Sequence, residues 1–102
     1  MSLIRRIILM ALTKTIEEDK IEIVGQFKFV QVRTATVIKE DGVELSRSYS
    51  RKVLEAGTLD SSDNLVDTNI SGESPEVQAI CNGVWTTNVK NAYKAHLIAT
   101  KP

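Results

Sequence analysis

The chain has 102 residues, 42% of them hydrophobic and 25% charged, with 13 Lys+Arg balancing 13 Asp+Glu. That length holds one domain with a modest core, and the composition excludes disordered and fibrous classes. Zero formal charge removes the bulk attraction for polyanions typical of nucleic-acid binders, and a lone cysteine, Cys81, excludes an intramolecular disulfide and suits a reducing compartment.

The N-terminal "IRRIILMAL" begins like a signal peptide. However, Ile7 to Leu12 supplies only six apolar residues before Thr13 and Lys14, against about 20 for a membrane-spanning helix, and no small-residue cleavage site follows. No membrane segment is expected. Met1-Ser2-Leu3 resembles an expression leader and Met10 a natural start, so residues 1–9 are set aside as a leader or upstream extension. Residues 10–102 are taken as a single domain.

Next, "TKTIEED" and "KIEIVG" alternate only partly and are separated by Glu18-Asp19, which predicts two short strands with a bend at Gly25. "FKFVQVRTATVIKE" is rich in β-branched and aromatic residues and contains no Gly or Pro, which is strand composition. Its apolar parity changes between Phe29 and Val30, predicting a bulge or bend there. Asp41-Gly42 is a strong hairpin signal, and "VELSRSYSRKVLEA" is the returning strand, so a long hairpin over residues 27–54 forms the centre of the domain.

Two turn geometries fit this hairpin. A two-residue Asp41-Gly42 loop pairs Ile38 with Leu45, Thr36 with Arg47, Thr34 with Tyr49, Val32 with Arg51 and Val30 with Val53. A three-residue Glu40-Asp41-Gly42 loop pairs Val37 with Leu45 and Arg33 with Tyr49. The first is preferred because it matches apolar residues at both ends and sets Lys39 opposite Glu44.

Residues 57–74 carry Asp, Ser, Asn and Gly without periodicity and read as a loop; residues 59–76 are acidic and hold no Lys or Arg. Ser74-Pro75-Glu76 then starts a helix: an N-cap hydroxyl, proline at the first position and an acid in the first turn. Val77, Ile80, Cys81, Val84, Trp85, Val89, Tyr93 and Leu97 follow at helical spacing. A break at Asn82-Gly83 is preferred, with Thr86 or Thr87 capping a second helix. Strands first and helices last give an α+β domain, an antiparallel β-meander of about four strands with the helical region 75–98 packed on one sheet face. The other, Ser- and Thr-rich face is left to solvent or to another copy.

Arg47, Tyr49 and Arg51 share a strand face by period two. Such a row is either an anion or nucleic-acid surface, with tyrosine stacking a base and the arginines on phosphates, or a solvated edge face on which arginine stems cover the tyrosine. Zero net charge and the absence of an RNP-like motif favour the second. His96 has no local nucleophile or carboxylate beside it and reads as a partly buried helix residue, and Cys81 as a small buried hydrophobe. One Cys and one His far apart do not make a transition-metal site. Asp60, Ser62, Asp63, Asn64 and Asp67 lack the EF-hand spacing. No catalytic, cofactor-binding or metal-binding residue is assigned, and an enzyme is not expected. Trp85 reads as a core anchor, with an interface role as the alternative.

"VQVRTATVIKEDGVELSRSYSR", the acidic loop and "EVQAICNGVWTTNVKNAY" together resemble a family of small uncharacterised proteins encoded by tailed phages, particularly marine ones, over roughly residues 10 to 98. The resemblance implies synthesis in a bacterial host cytoplasm and a part in the virion or its assembly, and it supplies no activity or site residues. The functional expectation is a non-enzymatic structural or interaction protein that binds itself or another phage protein through the sheet edge, the open sheet face or Trp85. The alternative is a nucleic-acid or anionic-ligand module built on Arg47, Tyr49 and Arg51.

Overall fold

A computed structural model describes residues 11–102; the leader assigned to residues 1–9 lies outside the described residues. In chain order come β1 (Leu12–Val24), β2 (Phe29–Glu40), β3 (Val43–Leu54), β4 (Gly57–Leu59), β5 (Leu65–Asp67), α1 (Pro75–Val84) and α2 (Thr87–Ala99). The fold is α+β: β1, β2 and β3 form an antiparallel meander with β2 in the middle, and β4 and β5 form a separate antiparallel pair.

The first segment is one strand, not two. A bulge between Glu18 and Lys20 absorbs Asp19 without ending the pairing with β2. It also lets Ile16 and Ile21, five residues apart, pair with Thr36 and Val32 and so occupy one face. The parity change expected at Phe29-Val30 has a simpler origin: Phe27 sits in the turn before β2, where Gly25 (φ 78°) and Lys28 (φ 53°) are left-handed, and β2 itself pairs without a break there.

At the hairpin, Asp41 (φ 51°) and Gly42 (φ 84°) are both left-handed, as a two-residue I′ turn requires. Lys39 lies opposite Glu44 as expected. A bulge at Leu45 then shifts the register, so Val37 faces Arg47, Ala35 faces Tyr49 and Arg33 faces Arg51. The preferred register therefore holds only beside the turn. The extra residue sets Val30 against Leu54, putting two apolar residues where the helices pack.

The acidic segment is not wholly loop. Asp60 Oδ1 accepts from the Ser62 and Asn64 amides (2.8 and 2.9 Å), and this side-chain-closed turn joins β4 to β5. Three-residue strands are too short to show a period. Lysines from elsewhere pair with three of its five acids: Lys52 meets Glu73, Lys90 meets Asp67 and Lys101 meets Asp63.

Helix α1 starts as the sequence indicates, with the Ser74 hydroxyl accepting from the Val77 amide. The break comes at Trp85, whose backbone leaves the helix (φ −87°, ψ 68°). Thr86 then caps α2 by accepting from Val89 N. Gly83 therefore lies inside α1, and a Cβ there meets nothing within 4 Å. Gly83→Ala is expected to raise stability by about 0.5–1 kcal/mol, read as a higher denaturant midpoint with unchanged slope.

Val30, Val32, Ala56, Val77, Cys81, Trp85 and Tyr93 form the core. The helices cover the sheet face bearing Val30 and Val32, but only at its base. Further along, that same face carries Thr34 and Thr36 on β2 opposite Ser50 and Ser48 on β3. The expectation of one covered face and one Ser/Thr face is thus corrected: both are the two ends of a single face. The distal sheet projects past the helices, with β3 exposed along its length to Val53.

Candidate functional site

The Arg47–Tyr49–Arg51 row lies on the opposite face, where pairing brings it beside Val37, Ala35 and Arg33. Arg47 donates from Nη2 to Glu44 Oε1 at 2.8 Å and lies 3.7 Å from Glu17 Oε1. Glu17 belongs to β1 and Arg47 to β3, so the arginine side chain spans β2 and lies above Ala35 and Val37, both buried. Next to it, Arg33 holds Asp19 through two parallel hydrogen bonds (3.0 and 2.7 Å) and places its guanidinium 4.3 Å from the Tyr49 ring centroid.

These hydrogen bonds hold Asp19 and Glu44 below the usual carboxylate range, with Arg33 and Arg47 respectively as the main causes. The same pairings raise both guanidinium groups. Arg47 is thus spent on two carboxylates of its own chain, and the Tyr49 ring already carries Arg33. Arg51 is the member of the row with no ion-pair partner among the described residues. The opposing acids Glu17, Asp19 and Glu44 sit on strands that the sequence treats separately; the Asp19 bulge and the Leu45 bulge are what bring them together.

Trp85 is 7% exposed and donates from Nε1 to the Lys28 carbonyl at 2.8 Å. It ties the joint between the helices to the left-handed turn before β2, so it serves as a core anchor. Cys81 is buried in the same cluster, and burial pushes its thiol up, the opposite of what a nucleophile needs. His96 is exposed, rather than partly buried, with its ring 4.7 Å from Phe27.

Tyr93 is buried and donates to Glu55 Oε2 at 2.6 Å beside an open depression of about 280 Å³ that Leu59, Leu97 and Lys101 also line. Burial, with Glu55 adding to it, pushes the phenol from 10.0 up to about 12. The folded state thus favours the protonated form. Its contribution is complete below pH 10, the ordinary value, and is lost as pH rises toward 12. Denaturant midpoints across that range should fall for the native chain, and Tyr93→Phe should remove this part of the fall.

Among the described residues no group of three or more His, Cys, Asp or Glu is placed to hold a metal ion, and no helix is long and apolar enough to cross a membrane. Taken together, the geometry offers contact surfaces: a protruding sheet with a long open edge at β3, and apolar side chains standing free on it. No protein-family model, curated protein or solved structure matches the chain.

Proposed function

We propose that this chain is a non-enzymatic assembly protein, of the tailed-phage kind its two sequence blocks resemble, made in the bacterial host and acting through protein–protein contacts of its sheet. The observation that carries the reading is the distal half of the meander. Leu12 and Ile16 on β1 and Val43, Leu45 and Tyr49 on β3 are exposed there, beyond the reach of the helices. A sheet that only carried the helices would gain little from strands of 12 or 13 residues, since the helix-covered core ends at Val32 on β2 and, beyond it, Ala35 and Val37 are buried on the opposite face. Exposed apolar side chains along an open strand edge are the usual features of a contact site.

The anion-binding alternative is less favoured, because of its two arginines Arg47 is paired with Glu44 and Glu17 within the chain and Arg51 alone keeps a charge uncompensated among the described residues. Sedimentation velocity from micromolar to millimolar protein tests the proposal. A mass rising above the monomer with concentration, and falling on Leu45→Lys, is the expected result. A strict monomer throughout the range overturns it.

A further inference from the structure

The third strand has an unusual internal order. Read about Ser48, "VELSRSYSRKV" sets like against like at Val43/Val53 and Ser46/Ser50, and at the three other mirror pairs sets unlike residues together: Glu44 with Lys52, Leu45 with Arg51 and Arg47 with Tyr49. An antiparallel pair of identical strands related by a two-fold at one residue places mirror positions opposite each other. We infer that β3 is a homodimer edge, pairing with β3 of a second copy about a two-fold at Ser48 to make a continuous six-stranded sheet. The inference rests on the assembly reading above and names its partner.

Three features of the fold support this occupant. First, β3 is a sheet edge whose outer side has no neighbour among the described elements. Second, the side chains complement each other. On the face bearing the row, Arg47 comes opposite the partner's Tyr49, whose ring has Arg33 of its own chain on one side, giving two symmetric cation–aromatic contacts. Leu45 and Val53, 55% and 58% exposed, become diagonal neighbours across the dyad. Because the bulge at Leu45 returns Glu44 to the face of Lys39 and Arg47, its carboxylate approaches Arg51 of the other copy, the cation left without a partner. On the reverse face Ser46, Ser48 and Ser50 are small enough to let the strands close without obstruction.

Third, the other edge is unsuited to the same pairing. Strand β1 has Glu17, Glu18 and Asp19 in succession at its middle, with Lys14 and Lys20 on either side and the bulge at Asp19. Self-pairing about its centre would set acid against acid at the bulge, whereas the β3 bulge at Leu45 lies outside the Ser46–Ser50 stretch about the dyad.

Engineered cysteines test both edge and register. Ser48→Cys in the full chain should form a disulfide-linked dimer under mild oxidation, because that position meets itself on the axis. Ser46→Cys and Ser50→Cys should each crosslink poorly alone and efficiently when mixed; the native Cys81 is buried. Glu44→Arg should weaken the dimer by about tenfold or more, and adding Arg51→Glu to it should restore association, whereas loss of strand stability alone would not be rescued. Equal self-crosslinking at Ser46, or preferential crosslinking of an Ile16→Cys variant, overturns the β3 pairing. If mass rises with concentration but Ser48→Cys does not crosslink, the pairing fails and the assembly reading stands; if mass never rises, both fail.

Discussion

Replacing Trp85 with alanine is expected to cost about 3–5 kcal/mol, a large part of the roughly 5–15 kcal/mol a domain of this size holds. The ring is 7% exposed within a core of seven buried residues, so truncation leaves a void that few side chains can fill. It also removes the indole donor from the Lys28 carbonyl, in a turn whose left-handed Lys28 is already costly for a β-carbon-bearing residue. Trp85→Phe keeps most of the apolar volume and should cost less, about 1–2 kcal/mol, mainly from the lost hydrogen bond and smaller ring. Since the chain has one tryptophan, far-UV circular dichroism in denaturant is the appropriate readout. A Trp85→Ala midpoint close to that of the native chain would show that the helical joint contributes little to the fold.

Gly57→Ala should also destabilise, by about 1–3 kcal/mol, although alanine is the smallest possible addition. A Cβ at Gly57 would lie 2.5 Å from the Val66 carbonyl oxygen and 2.9 Å from Leu65 Cγ. The closest obstacle is backbone in the partner strand, so relief requires the β4–β5 pair to open. Thr68, whose hydroxyl donates to the Glu55 carbonyl, and Lys90, paired with Asp67, hold that pair on both sides. The expected result is a lower denaturant midpoint for Gly57→Ala, set against a higher one for Gly83→Ala. Equal, small changes at the two glycines would mean that the β4–β5 pair yields freely.

Much of the fold was legible because its signals are local. Asp41-Gly42 needs only two residues to specify its turn, and Ser74-Pro75-Glu76 needs three to start a helix. The bulges at Asp19 and Leu45 were not legible, because the contacts that accompany them lie across the sheet: Asp19 meets Arg33 of β2, and the Leu45 bulge returns Glu44 to the face of Lys39 and Arg47. The candidate site was half legible for the same reason. Period two is enough to put Arg47, Tyr49 and Arg51 in one row, but the carboxylates that neutralise Arg47 come from β1 and from beyond a bulge. Likewise, the helices could be assigned to a sheet face, yet how far along the strands they reach depends on their combined length, and they end near Val32.

The bulge at Asp19 has one more consequence. An edge that is kinked and lined with acids resists adding a strand, while the β3 edge remains open. A sheet blunted on one side has a valence of one: it can join a single neighbour and then presents only blunted edges. Two open edges on strands this long would permit unlimited head-to-tail growth into fibres. On the inferred β3 pairing, the acids and the extra residue of β1 would act on sheet growth as a terminator acts on a polymer.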